Sequence, residues 1–425
     1  MTTVLAADSL QLDRILRPGD QIVASHACGE PTTLIEALVA QRSTLRGISL
    51  FVGSSFSPIL SELALADEIS ISSMGAIGSL RTLAKAGKLS IVPCHVGQIA
   101  TMIEQGVIRC DVVFVQVSPS DASGNHSYGL INDYMQSAIA KARTVVAEVN
   151  ARVPFSTCDA LLSRERINFI IEVSRAPVEL PAATPSNEDL AIARNAAVYI
   201  EDGSILQVGI GVIPDAIMQL LRDRREIGIH SGMIGDSLVD LVERGVVTNA
   251  TKEIDRGISV TGALIGSQRL FNFSHRNPTL CLRSSRSTHG EAILSTIRNL
   301  VTINSAIEVD LTGQVNAEQA GLNFLGAVGG QIDFVRAGSR SAHGRSLIVL
   351  PSTALDGAKS RIVSRLNGPV TTARSEIDVI ITEFGAAELK GQSLATRARR
   401  LVAVAHPRLR ENLDKEAYVI AKRGF

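Results

Sequence analysis

Short β-branched runs punctuate the chain: QIVAS (21–25), DVVFVQVS (111–118), SILQVGI (204–210), SLIVL (346–350) and IDVIIT (377–382). Each is short and almost continuously apolar, the pattern of a strand covered on both faces, so each is predicted to be a buried strand. Elsewhere the period lengthens to three or four. DYMQSAIAKAR (133–143) and PDAIMQLLRD (214–223) are predicted helices, the second with Pro214 at a first helical position, where the missing N–H costs nothing. Strands alternating with helices imply α/β layers built on mainly parallel sheets.

RAPVELPAATPSNEDL (175–190) has three prolines and no clean period, and reads as a linker. It divides the chain into an N-terminal domain, 1–182, and a C-terminal domain, 183–425. A faint repeat supports the division. GDQIVASHACGEPTTLIEAL (19–38) overlays DGSILQVGIGVIPDAIMQLL (202–221) without a gap, Pro31 falling on Pro214. Two tandem α/β domains of related topology are therefore expected.

Composition narrows the function. The 425 residues carry 42 basic and 42 acidic side chains, which gives no electrostatic reason to expect nucleic acid or an anionic membrane as partner. Five cysteines (Cys28, Cys94, Cys110, Cys158, Cys281) form no CxxC pair and are odd in number. No metal site, no disulfide framework and a reducing cytoplasm are expected. The first twenty residues lack a basic region followed by a long apolar run, and no apolar stretch reaches about 18 residues. No signal peptide and no membrane span are expected.

In parallel sheets ligands sit beyond the carboxyl ends of the strands, so the chemistry is sought in the loops there. HACGEP (26–31) offers Glu30, either a polar contact to substrate or an acid placed at a helix start, where acid is favoured anyway. SPSDASGNHSYG (118–129) offers Asp121 between turn glycines, as a substrate loop or a solvated connection. VGIGVIPDA (208–216) lacks the third glycine and distant acid of a dinucleotide fingerprint, yet presents backbone N–H groups at a helix start. FLGAVGGQIDFVRAG (324–338) has Gly326, Gly329 and Gly330, which allow close backbone approach to a ligand. Finally, GIHSGMIGDSLVDLVERGVVTN (228–249) places His230 and Ser231 between a strand end and a capped helix. HSGMIG is not a G-x-S-x-G elbow, and serine before a helix is common as plain capping.

Taken in order, GEP (29–31), VSPSDASGNHSYG (117–129), GIGVIPDAI (209–217), the 228–249 stretch, INSAIEVDLTGQVNAE (303–318), GAVGGQIDFVRAGS (326–339), PSTALDGAKSRIV (351–363), TTARSEIDVIITEFGAAELKG (371–391) and AHPRLRENL (405–413) resemble one family across nearly the whole chain. It is the acetyl-CoA hydrolase/transferase family of class I CoA-transferases, in particular its 4-hydroxybutyrate- and butyryl-CoA transferases. The resemblance implies two α/β domains packed around an active site, and a homodimer or larger assembly. It implies a coenzyme A thioester as substrate, no permanently bound cofactor, and a small acceptor. Gly209, Gly211, Val212 and Ile213, with Gly326, Val328, Gly329, Gly330 and Gln331, are similar to the family's oxyanion and CoA-binding elements.

The resemblance also implies a glutamate nucleophile, which passes through an acyl-glutamyl anhydride and a glutamyl-CoA thioester in a ping-pong cycle. Here the chain departs from the pattern. The family reads His-Ser/Thr-Glu in the catalytic loop; this chain reads His230-Ser231-Gly232. A second departure is RSSRSTHGEA (283–292), which puts His289 and Gly290 where the family has an Asn-Asp/His-Pro stretch.

Three readings follow. The enzyme performs other acyl chemistry, hydrolysis or transfer to an alcohol or amine, with His289 as general base and Glu30, Asp121, Glu291, Ser231 or His230 assisting. Or it remains a CoA-transferase to a carboxylate, by direct transfer or through another acid such as Asp236, which otherwise reads as a helix N-cap. Or it binds acyl-CoA without turnover. Whichever holds, Gly232→Glu is expected to gain carboxylate-dependent exchange and to become trappable by borohydride at residue 232.

Overall fold

The computed structural model describes residues 2–62, 65–355 and 357–423. The chain divides into two compact units. The first runs to Pro181 and also takes Val260–Thr288 and Asn323–Gly329; the second comprises Ala182–Ser259, His289–Leu322 and the chain from Gly330 onward. The expected cut at 182/183 falls beside the first crossing. The two later segments that join the first unit are contacts between distant parts of the chain, which a single cut at a proline-rich stretch does not represent.

Each apolar run is a strand, trimmed at its ends: Gln21–Ala24, Val112–Val117, Ile205–Val208, Arg345–Val349 and Val379–Thr382. All six residues of Val112–Val117 are buried, as a central strand covered on both faces requires. The predicted helices are Met135–Lys141 and Val212–Leu220. Pro214 is thus the third helical residue rather than the first, still within the turn whose N–H groups have no helical acceptor. Pro31 instead precedes the helix Thr32–Gln41, so the overlay of the two halves holds through the strand and slips at the helix start. The linker is also shorter than expected. Ser186 and Asp189 form a reciprocal capping box that starts the helix Asn187–Ala197, an S-x-x-D signal overlooked within the polar tail.

The first unit is built on an eight-stranded sheet in which every pairing is parallel. The chain steps outward from Gln21–Ala24 through Ser49–Val52, Ser70–Ser73 and Ser90–Ile91. It then returns to Val112–Val117 on the other side and steps away through Thr144–Asn150 to Phe169–Val173, beside which the first strand of the chain, Thr3–Leu5, forms the edge. Strand order therefore reverses between Gln21–Ala24 and Val112–Val117. The second unit has a six-stranded sheet, parallel except for its last strand, Gly385–Glu388. Here the order reverses between Ile205–Val208 and Leu300–Ser305. Such reversals open a crevice at the carboxyl ends of the strands, where α/β proteins bind ligands. Each sheet is covered by an apolar cluster, with Ile22, Leu34, Leu50 and Phe114 in the first and Val309, Ile348, Ile380 and Leu401 in the second.

Candidate active site

The loop after Ile205–Val208 lies at the carboxyl end of that strand, beside the second unit's strand-order reversal. The Gly209 N–H donates to the Ile303 carbonyl at 3.2 Å, which pins the loop to the neighbouring strand. Gly211 then turns with φ +128° and ψ 176°, a conformation that a side chain would strain. The turn starts the helix Val212–Leu220 with no side-chain cap, so Val212 and Ile213 contribute first-turn N–H groups without helical acceptors. Those amides are the donors that an anion or a developing oxyanion needs.

The neighbouring strand, Gly228–Ile229, pairs in parallel with Ile205–Leu206 and leads into His230, Ser231 and Gly232. His230 and Ser231 are fully enclosed. The Ser231 hydroxyl accepts from the Val208 N–H at 3.2 Å and has the carbonyls of Met233 and Val208 at 2.7 and 3.0 Å. It ties two strand ends together, which makes it a structural hydroxyl rather than a nucleophile. A helix does follow, Ser237–Glu243, with Gly245 just beyond its end. Asp236 stands at the N-cap position but its side chain makes no capping bond, because its own backbone is already helical at φ −60°, ψ −29°.

Gly232 is where the geometry becomes informative. A Cβ built on it would lie 2.5 Å from Cε1 and 2.7 Å from Nε2 of His289. A Cβ on Gly330 would lie 2.5 Å from the same Nε2. The imidazole therefore fills the space that two missing side chains leave, and the Phe334 ring lies beside it, at 4.7 Å between centroids and tilted by 54°. His289 is 7% exposed. It also borders a cleft of about 200 Å³ with Glu291, Leu294, Asp333, Arg336 and Arg340. Phe334 carried no signal in the sequence beyond its spacing from Gly330, four residues apart on the helix Gln331–Arg340.

The glycine-rich loop before that helix is anchored twice within the first unit. The Ala76 N–H donates to the Gly326 carbonyl at 3.0 Å, and the Val96 N–H to the Gly329 carbonyl at 3.1 Å. Val328 lies between these anchors. Gly330 and Gln331 belong to the second unit, where Gly330 starts the helix without a side-chain cap. The Gln331 side chain is buried, and its Nε2 has no hydrogen-bond acceptor, an arrangement that costs stability unless a ligand supplies one.

The remaining candidate acids are committed locally. Glu30, in the first unit, is buried and accepts from the Phe56 N–H (2.5 Å), the Ser57 N–H (3.2 Å) and the Ser57 hydroxyl (2.5 Å). Burial pushes its pKa up against the pull of those donors. Asp121 closes its own turn, where the N–H groups of Asn125 and Ser123 hold its carboxyl below the usual range. Glu291 borders the His289 cleft but pairs with Arg340 at 3.3 Å. The five cysteines are free thiols, and burial pushes Cys94 up to about 11 and Cys110 and Cys158 up to about 12, so these three are held away from the nucleophilic thiolate form. Among the described residues, no group of three or more His, Cys, Asp or Glu could hold a metal ion, and no helix is long and apolar enough to cross a membrane.

Uncapped amides at the second unit's strand-order reversal define a class of site that can bind an anion or a developing oxyanion. Residues 9–180 match the acetyl-CoA hydrolase/transferase N-terminal domain and residues 266–417 its C-terminal domain. The chain belongs to the acetyl-CoA hydrolase/transferase family, whose members transfer or hydrolyse CoA thioesters. It is 36% identical to the 4-hydroxybutyrate coenzyme A transferase of Clostridium kluyveri, over 93% of each chain. Among solved structures it resembles RipA from Yersinia pestis, with a TM-score of 0.93 and 30% identity, covering 99% of this chain and 98% of that one. It also resembles the 4-hydroxybutyrate CoA-transferase of Porphyromonas gingivalis, with a TM-score of 0.84 and 32% identity, covering 100% and 98%.

Proposed function

We propose that this chain is an acyl-CoA-processing enzyme whose chemistry does not pass through a glutamyl anhydride at position 232. In this reading the substrate is a short-chain acyl-CoA of the kind named for its relatives. His289 acts as the general base on the acceptor, which is water, an alcohol or an amine. One observation carries the reading: the imidazole lies within contact distance of where the first side-chain atom of residue 232 would be. A ring nitrogen thus lies 2.7 Å from where a glutamate side chain at 232 would leave the backbone.

The steps balance without a covalent enzyme intermediate. Nε2 of His289 takes the acceptor proton as the acceptor oxygen or nitrogen adds to the thioester carbonyl. The oxyanion is met by backbone N–H groups of the Gly209–Ile213 turn. The C–S bond breaks, and the proton returns to the CoA thiolate. General-base catalysis of this kind contributes about 10²–10⁴ in rate, and each oxyanion donor about 10²–10³.

The test follows free thiol and CoA exchange from several acyl-CoAs, with and without acetate, in the unaltered protein and in His289→Ala. Thiol release that falls at least 10²-fold in His289→Ala, with unchanged acyl-CoA binding, is the expected result. Acetate-dependent exchange that survives the substitution would replace this reading with direct transfer to a carboxylate. Saturable binding with no turnover in either protein would make the chain an acyl-CoA binder.

A further inference from the structure

The first unit contains a second constellation, and only one of its members, His26, lies in a loop that the sequence singles out, HACGEP (26–31). His26 follows the strand Gln21–Ala24, and Ser54 follows Ser49–Val52. These are adjacent strands, and His26 lies at the strand-order reversal, on the carboxyl edge of the sheet where ligands bind. Asp133 sits just before the helix Met135–Lys141. Nε2 of His26 lies 2.6 Å from an Asp133 carboxylate oxygen, and Nδ1 lies 2.9 Å from the Ser54 hydroxyl. The imidazole stacks flat on Tyr134, with 5.2 Å between centroids and 8° between planes. The other Asp133 oxygen accepts the Tyr134 N–H. Gly53 lets the backbone come close: a Cβ there would stand 3.2 Å from Nδ1.

The polarity of this chain of bonds has a direction. Asp133 as a carboxylate can only accept, so it holds the hydrogen on Nε2. The Nδ1 lone pair then faces Ser54, and the serine hydroxyl must be the donor. Carboxylate, imidazole and hydroxyl in that order are the parts of an activated serine, recognised by geometry and role rather than by sequence order. Ser54, His26 and Asp133 are 4%, 7% and 7% exposed, so each retains some contact with solvent. Ser231, the serine that the sequence brings forward, has no such partners.

We propose that Ser54 is a nucleophile, His26 its general base and Asp133 the positioning residue of a serine acyl-hydrolase centre for small acyl esters and thioesters, separate from the His289 chemistry. Ser54 Oγ adds to the acyl carbonyl while its proton passes to Nδ1 of His26. The bond to the leaving oxygen or sulfur breaks, and the imidazolium returns that proton to the leaving group. Water then adds to the seryl ester, giving its proton to the same Nδ1. The carboxylic acid departs and Ser54 regains its hydrogen.

The test exposes the whole protein to an alkyl fluorophosphonate, which loses fluoride to an activated serine, and maps the adduct by peptide mass spectrometry. A single adduct on Ser54 of the unaltered chain is expected, absent in Ser54→Ala. Asp133→Asn keeps an oxygen for the Tyr134 N–H but presents an amide to Nε2, which favours the wrong imidazole tautomer. With unchanged thermal unfolding, its labelling rate should drop by about 10³–10⁴-fold, the scale of the same exchange in a serine protease. No adduct, an adduct on another residue, or an unchanged rate in Asp133→Asn would each overturn the proposal. Because the map is made on the unaltered chain, a poorly folding variant does not blunt it. His289→Ala should label at Ser54 as fast as the unaltered protein, so the two active-site readings stand or fall separately.

Discussion

Two histidines, one in each unit, are equally buried and lie in different surroundings. His26 is fixed by hydrogen bonds at both ring nitrogens and lies flat on Tyr134. His289 lies in a slot left open by Gly232 and Gly330 and walled by Phe334. A ring held by bonds has its tautomer set by its partners, so changing a partner changes its chemistry while its position survives. A ring packed against two glycines also answers to volume. The lever on His289 is therefore a pair of glycines that contribute no chemistry of their own.

The largest effect should come from filling the slot. Gly232 does not have a positive φ, so the backbone accepts glutamate there and only the imidazole stands in its way. Gly232→Glu alone is expected to displace His289 and lower His289-dependent thiol release by about 10²–10⁴-fold. It is not expected to gain carboxylate-dependent exchange while the ring stays in place. Combined with His289→Gly, the same glutamate has room, and acetate-dependent CoA exchange should be gained, with a glutamyl-CoA thioester at residue 232 reducible by borohydride. A double variant that folds and binds acyl-CoA yet never exchanges would show that this loop is not the catalytic one.

Titration sharpens the other side of the comparison, since the first unit buries acids as well as a histidine. Glu148 accepts from the Thr33 and Leu34 N–H groups at 2.8 and 3.2 Å, while its other oxygen is buried without a partner. Burial pushes its pKa up to about 7. Between the unfolded value and about 7 the folded form binds the extra proton, so its contribution to stability is full at low pH and is lost as pH rises through 7. At roughly 1.4 kcal/mol per pKa unit, the loss is on the order of 3 kcal/mol. In Glu148→Gln that pH dependence should vanish, and chemical denaturation at pH 5 and pH 8 would measure it. Equal slopes in the two proteins would contradict the assignment.

The smallest effect is expected at the second glycine. Gly330→Ala pushes a methyl group against Nε2 of His289, and overpacking of this kind costs roughly 1–3 kcal/mol. In a His289→Ala background the same methyl should cost almost nothing. The coupling in that double-mutant cycle measures how closely the ring is packed against Gly330. Additive costs would mean that the methyl does not meet the ring.

The sequence displayed the elements well because buried parallel strands and amphipathic helices write their period locally, as in Val112–Val117 and Val212–Leu220. Helix starts were less legible. Pro214 lies two residues further into its helix than expected, and the Ser186–Asp189 box reads as part of a polar linker, because capping is decided by backbone angles as well as residue type; Asp236 shows an N-cap residue that does not cap. Ser231 illustrates a different limit: a serine between strand and helix reads the same whether its hydroxyl is free to react or, as here, stitches Val208 to Met233.

By itself, the sequence determined the α/β architecture, the family, and the absence of a carboxylate at 232, since each is carried by residues close together or by motifs in fixed order. Only the tertiary structure decided what occupies that position, and that Ser54, His26 and Asp133 meet. Both depend on distances of a few ångströms between residues far apart in the chain. Such distances are set by strand order and packing, and no local pattern records them.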